Sequence, residues 1–279
     1  MNQTARIATF RQLHESGCFL MPNPWDIGSA RWLKGRGYKA LATTSAGFAW
    51  TQGLADQDVP MGAMLDYIRT IVDAVPDMPV NADFENGYAD DPAGVAANVT
   101  ACLGTGVAGL SIEDATGRSA DPLYPFVLAV GRIGAARAAI DAAGSGVLLT
   151  ARAEGVLVQG MSALPDVLSR ITAFADAGAD VLYAPGLRTR DAFAAVVAAA
   201  KGKPVNGLVF GDLGHSVADL SALGIRRISI GAAMARAAWA GFMAVADEIA
   251  TSGTFTGFAD NPRTSPLNDF FRDDLKARS

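Results

Sequence analysis

The chain has 279 residues, 50% hydrophobic and 18% charged, with a formal net charge of −5 and two cysteines. That is enough for one large core, and α/β barrels of this length are commonly single domains. The acidic balance without a long basic run argues against nucleic acid as a partner, no stretch has the unbroken apolar length of a membrane helix, and the start carries Arg6, Arg11, His14 and Glu15 where a signal peptide would be apolar. A cytoplasmic protein is expected, and Cys18 and Cys102, which follow no metal or redox spacing, read as buried free thiols.

In chain order, a helix is predicted over about residues 4–15, then a short strand over 18–22. The loop Asn23-Pro24-Trp25-Asp26 leads into a helix that stops near Gly35-Arg36-Gly37. A strand over 40–44 runs into Ser45-Ala46-Gly47, read as a loop of small residues, and a helix follows over about 61–75. The alternation then continues: strands at 79–83, 108–112, 147–151, 180–183, 203–208 and 227–230, with helices after each. Helices between strands imply parallel pairing. Eight such units close most simply into a (β/α)₈ TIM barrel, and short apolar strands suit a sheet buried on both faces. The barrel is assigned residues 1–253. Residues 254–279 carry Phe255, Phe258, Phe270 and Phe271 among polar residues and are assigned to a C-terminal arm on this barrel or a neighbouring subunit.

Barrel active sites lie at the carboxyl ends of the strands. Asp83 and Glu85 end the third predicted strand, and Glu113 and Asp114 end the fourth. Residues two apart in a strand face one side, so Asp83 and Glu85 are expected to enter one cavity. Neighbouring carboxylates repel unless a cation lies between them or one is protonated. Oxygen ligands of this kind suit Mg²⁺. Asp83, Glu85 and Glu113 are therefore the metal candidates. Arg152 offers a planar fork to a carboxylate or phosphonate. Ser45, Ala46 and Gly47 offer backbone N–H groups to an anion, and Asn206 ends another strand. A cation with such donors is what an enolate needs. The plainer alternatives are that the acids only cap helices, that Arg152 pairs with Glu154 or Glu113, and that Ser45 caps a turn or helix. His14 and His215 fall away from strand ends and read as surface or loop residues. The long loop over residues 115–125, with Gly117 and Arg118, reads as a lid.

Four motifs, Thr44-Ser45-Ala46-Gly47, Asp83-Phe84-Glu85-Asn86-Gly87-Tyr88, Ile112-Glu113-Asp114 and Ala151-Arg152-Ala153-Glu154, together resemble the isocitrate lyase/phosphoenolpyruvate mutase superfamily, as does the opening Pro22-Asn23-Pro24-Trp25-Asp26. The resemblance implies a (β/α)₈ barrel, a homotetramer or homodimer with its C-terminal helix swapped between subunits, Mg²⁺ (or Mn²⁺), and small anionic 2-oxo acid or dicarboxylate substrates. It implies Asp83 as direct metal ligand, Glu85 and Glu113 holding the metal's waters, and Asp56, Ser45 and Arg152 as catalytic residues. Ser45, Ala46, Gly47, Arg152, Asn206, Trp25 and Arg118 are assigned to the substrate. The lyases' cysteine motif is missing from the loop after Glu113-Asp114, and Pro185 stands where mutase-like members place a histidine. The expected activity is therefore C–C cleavage or decarboxylation of an oxaloacetate-like or 2-alkylmalate-like substrate through a pyruvate enolate. Phosphonopyruvate hydrolysis, phosphoenolpyruvate phosphonomutase chemistry and non-catalytic carboxylate binding are the alternatives.

Overall fold

The computed structural model describes residues 1–259 and 261–278. Eight strands form one parallel sheet: β1 (Phe19–Met21), β2 (Leu41–Ala42), β3 (Val80–Asp83), β4 (Gly109–Glu113), β5 (Leu148–Arg152), β6 (Val181–Tyr183), β7 (Val205–Leu208) and β8 (Arg227–Ser229). Seven strand pairs run in order from β1 through β8 and back to β2. The ring is closed between β2 and β1 by Ala42 N–H donating to the Pro22 carbonyl at 3.0 Å. Asn23 fills the same seam, its Nδ2 donating to the Thr43 carbonyl at 2.8 Å and its Oδ1 accepting from Ile230 N–H at 3.1 Å. The fold is the expected (β/α)₈ barrel.

Strand alternation sets what faces the axis. On β4, Leu110 and Ile112 are fully buried in the outer layer, while Gly109, Ser111 and Glu113 point inward. The outer layer contains α1 (Gln3–Glu15), α2 (Ile27–Gly35), α3 (Ser45–Thr51), α4 (Met61–Ala74), α5 (Pro92–Leu103), α6 (Phe126–Ala142), α7 (Gly155–Gln159), α8 (Leu164–Asp176), α9 (Arg190–Ala199), α10 (Val217–Ala222) and α11 (Ala233–Ser252). Helix α1 covers the amino ends of the strands, where Phe10, His14 and Phe19 stack edge to face with ring centroids 4.7 to 6.2 Å apart. A Cβ on Gly109 would sit 2.7 Å from the Phe10 ring, so a glycine is needed for Phe10 to close the floor. His14 is thus a buried floor residue and not the surface residue expected from the sequence. Cys102 is buried and Cys18 half-buried.

Two other local expectations change. Ser45-Ala46-Gly47 is the first turn of α3 and not a loop, because Thr44 caps it by accepting the Gly47 N–H at 3.2 Å. Strand β3 stops at Asp83, and Glu85 lies beyond it with φ of 46°, so strand alternation no longer aims its side chain. The C-terminal arm holds α12 (Thr264–Lys276), which packs on α2 of the same chain. The Phe270 ring lies 4.6 Å from Trp32, and Asp274 accepts from Arg31. Among the described residues no helix is long and apolar enough to cross a membrane.

Candidate active site

At the carboxyl ends of β3, β4 and β5 one guanidinium is shared by three carboxylates. Arg152 Nη1 donates to Asp83 Oδ1 at 2.7 Å, Nη2 lies 2.9 Å from Glu113 Oε2, and Nε donates to Glu154 Oε1 at 2.7 Å. Burial opposes a charge on Arg152, but Glu154, Glu113 and Asp83 outweigh it and hold the guanidinium charged. The other Asp83 oxygen accepts from both the backbone N–H and the hydroxyl of Ser45, each at 3.1 Å. Asp83 therefore bridges Arg152 and Ser45. The plainer expectation for Arg152, pairing with Glu113 and Glu154, holds together with the pairing to Asp83.

The cluster carries more acid than base. Burial first, and then the neighbouring Asp83, pushes the Glu85 carboxyl up to about 7. Burial likewise raises Glu113 well above the ordinary range against the pull of Arg152. Asp56 is raised by desolvation first and by Asp83 second, with Ser45 and Arg152 opposing. The Tyr88 hydroxyl beside Glu85 opposes the rise of the Glu85 carboxyl, and Glu85 Oε1 is buried with no hydrogen bond of ordinary geometry. Five carboxyls, those of Asp56, Asp83, Glu85, Glu113 and Glu154, thus face the single guanidinium of Arg152.

A cavity of about 210 Å³ opens beneath this cluster along the barrel axis. Ser45, Ala46, Asp56, Asp83, Arg152 and Asn206 all line it, so the structure brings six of the expected residues together. The remaining expected residues lie elsewhere. Gly47 is turned into packing against Thr44, Trp25 and Ala235, and its N–H is already taken by the Thr44 cap. Trp25 lines an apolar cleft with Leu267 and Phe271. Glu85 and Arg118 line a separate polar cleft of about 550 Å³, which shares Asp56 with the barrel cavity. Glu113 is reached through Arg152 and through Gln57, whose Nε2 donates to Glu113 Oε1 at 3.4 Å. Among the described residues no group of three or more His, Cys, Asp or Glu is arranged to hold a metal ion by itself. Asp114 is structural: it accepts from Glu154 N–H at 2.8 Å and from Arg170 Nη1 at 3.0 Å.

The sequence profile of phosphoenolpyruvate phosphomutase matches residues 10–250. The chain belongs to that family. A protein of Burkholderia cenocepacia J2315 whose reaction is itself given only as lyase or mutase is 44% identical, covers 97% of each chain and superposes with a TM-score of 0.92. A 2,3-dimethylmalate lyase is 25% identical over 98% of each chain with a TM-score of 0.83. An oxaloacetate acetylhydrolase bound to its product oxalate is 26% identical over 100% of this chain and 98% of that one, also with a TM-score of 0.83. Similar proteins thus include a 2,3-dimethylmalate lyase and an oxaloacetate acetylhydrolase, and also a phosphoenolpyruvate phosphomutase of Streptomyces hygroscopicus, 29% identical over 93% of this chain and 84% of that one.

Two residues of the site escaped the sequence reading. Gln57 reaches Glu113 from a backbone with φ of 72°, which nothing in the sequence signals. Arg227, at the start of β8, lines the barrel cavity. The signal for it was available: an arginine two residues before Ser229 in the same short strand, on the same face.

Proposed function

We propose that this chain is a lyase that requires a divalent cation, Mg²⁺ with Mn²⁺ as the alternative. It breaks a C–C bond next to the 2-oxo or 2-hydroxy carboxylate of an oxaloacetate-like or 2-alkylmalate-like substrate. The observation that carries the reading is the position of Asp83, one carboxylate between the two groups best suited to an anion, Ser45 and Arg152. The names of the lyase and acetylhydrolase relatives support dicarboxylates as the substrate class.

The donor set fits Mg²⁺. The ion takes one or two carboxylates directly and keeps several waters, so convergence of three acids on one point is not required. The surplus of carboxyls and the buried Glu85 Oε1 supply what a hydrated cation would use. Asp83 would hold it directly, with Glu85 and Glu113 holding its waters. When bound, it would supply Lewis-acid stabilisation of enolate charge. With Asp83 and Glu113 so engaged, Nη1 and Nη2 of Arg152 and the N–H and hydroxyl of Ser45 become free for the substrate carboxylate. In oxaloacetate the C3–C4 bond would break, its electron pair remaining on C3 as the pyruvate enolate while C4 leaves as CO₂. Asp56, whose carboxyl is raised, stands at the mouth to return a proton to C3.

The test is a coupled screen for pyruvate release over oxaloacetate, 2-alkylmalates and phosphonopyruvate, with Mg²⁺ and with a chelator. Turnover of a dicarboxylate that stops on chelation is expected. Phosphate released from phosphonopyruvate would move the reaction to the P–C bond. Tight binding without turnover of any of them would leave a carboxylate-binding protein.

A further inference from the structure

The barrel contains a second arginine whose situation is the reverse of Arg152. Arg227 is only 1% exposed. Its Nε donates to Asn206 Oδ1 at 2.7 Å and its Nη2 to Thr150 Oγ1 at 3.1 Å, while Nη1 has no acceptor. Among the described residues no carboxylate pairs with it, and burial pulls its pKa down to about 9. The other buried arginines are provided for. Arg31 and Arg170 have aspartates, and Arg6 and Arg132 have backbone carbonyls. An unpaired buried cation is destabilising unless something compensates it. Asn206 is itself fixed by donating to Ser229 Oγ at 2.9 Å, so two neutral groups hold the guanidinium and leave the buried Nη1 without an acceptor. Arg227, Asn206 and Ser229 all line the cavity that reaches up to Ser45 and Arg152.

We propose that Arg227 is a substrate-recognition residue, binding through its free Nη1 the second anionic group of a dianionic substrate whose first carboxylate is held at Ser45 and Arg152. This rests on the catalytic reading of that cavity. Thr150 precedes Arg152 by two residues on the same face of β5, so the Arg227 contact lies one side-chain layer below, about 6–7 Å along the strand. A four-carbon diacid, with three C–C bonds of about 1.5 Å between its carboxylate oxygens' carbons, reaches across that layer. Arg152 turns to the first carboxylate only when Asp83 and Glu113 are engaged by a cation, whereas Arg227 has a donor with no competing carboxylate. A monoanion would leave that donor unpaired, so the site discriminates by charge number and length.

The experiment measures binding of oxalate, succinate and butyrate to the full chain in Mg²⁺ by titration calorimetry, with melting temperatures of the ligand-free proteins alongside. The wild type should bind succinate at least tenfold more tightly than butyrate. Arg227→Met should lose that preference, leave oxalate within about twofold, and melt no lower than wild type, because an unpaired buried charge has gone. Arg227→Lys should restore part of the preference. Should Arg227→Met fail to fold, Asn206→Asp gives the arginine an internal carboxylate at the same position and should suppress succinate binding selectively. A lower melting temperature with equal loss for all three probes would make Arg227 a structural residue and overturn the proposal. Unchanged succinate binding in Arg227→Met, or in Asn206→Asp where that variant decides, would overturn it too. Wild-type protein that binds neither oxalate nor succinate would remove the catalytic reading and this one with it, whereas oxalate binding with no dependence on Arg227 removes only this one.

Discussion

The two ends of the barrel bury ionisable groups in opposite ways. At the mouth, Asp83, Glu113 and Glu154 crowd one arginine, and Ser45 completes the hydrogen bonding. At the floor, His14 lies between Phe10 and Phe19 with Nε2 unpartnered, and burial, aided by the charge of Arg227, pulls it down to about 3. The mouth keeps its charges by pairing them with one another; the floor keeps its ring neutral. Charges balanced only against each other are free to exchange partners when a ligand arrives, whereas a neutral ring in an aromatic plug, its Nδ1 2.7 Å from the Phe10 carbonyl, has no charged partner to exchange. Substitutions at the mouth should therefore damage activity and spare stability, and substitutions at the floor should do the reverse.

The largest effect is expected at Asp83. Asp83→Asn removes the carboxylate that bridges Ser45 and Arg152 while keeping its shape. Turnover in Mg²⁺ should fall at least about 10²- to 10³-fold, the scale of losing one electrostatic group from a catalytic site. Its urea midpoint should stay near wild type, since Arg152 keeps Glu113 and Glu154. A stable variant with normal Mg²⁺-dependent turnover would remove Asp83 from the chemistry, and a variant that simply unfolds would erase the contrast between the two ends. Next comes Arg152→Lys, which keeps the charge and loses the fork. A fall in kcat/KM of about 10²-fold is expected, carried more by KM for a dicarboxylate than by kcat, and steady-state kinetics over substrate concentration separate the two.

The contrast also explains what was legible in the sequence. The barrel was, because short apolar strands alternate with helical stretches eight times, and the predicted third strand differs from β3 by one residue. Asp83, Arg152, Ser45 and Asp56 were identifiable because their positions at strand ends or in motifs already assign them to the mouth. Glu85 was misaimed because the reading extended strand alternation past Asp83, and a left-handed φ at a glutamate leaves no trace in composition. Helix α3 was missed because Ser45 and Gly47 read as turn residues, and the helix is set by the Thr44 cap and the burial of Ala49. His14 was misplaced for a related reason. Its exposure depends on how α1 is rotated on the strand ends, and that is set by the glycine at 109, far away in sequence.

The floor yields a smaller effect, on stability. The His14 pKa is about 3 in the folded chain against an ordinary 6.5. Between those values the unfolded chain binds a proton that the folded chain refuses. Stability from the neutral ring is therefore complete above pH 6.5 and declines as pH falls toward 3, by about 1.4 kcal/mol per pH unit at most. In His14→Gln, which cannot titrate, denaturant midpoints should fall less steeply between pH 6.5 and 4 than in wild type, with kcat at pH 7.5 unchanged. Parallel slopes would show that the ring already reaches water.

The smallest effect is expected at Arg118, in the loop over the mouth. The loop is a small hairpin, bridged between Ala115 and Leu123, with Thr116 N–H donating to the Pro122 carbonyl at 3.0 Å. Arg118 extends from its tip, half-exposed, and Nη1 donates to both oxygens of Asp90 at 3.0 and 3.2 Å. Asp90 also accepts from the Tyr124 hydroxyl, and the Arg118 guanidinium lies 5.7 Å from the Tyr124 ring. In this arrangement Arg118 fastens the hairpin to the start of α5, and exposed pairs of this kind are weak and screened by salt. Arg118→Ala and Asp90→Ala should therefore act alike, each raising KM for a dianionic substrate by roughly two- to fivefold, with the difference from wild type shrinking at high salt. The two variants separate the two roles. If Arg118 is held back by Asp90 for the substrate, Asp90→Ala releases it and KM for the dianion falls while that for a monoanion stays put. If Arg118 only fastens the loop, both variants loosen it and KM rises for both substrates. A fall in KM specific to the dianion would place Arg118 with Arg152 among the groups that meet the substrate.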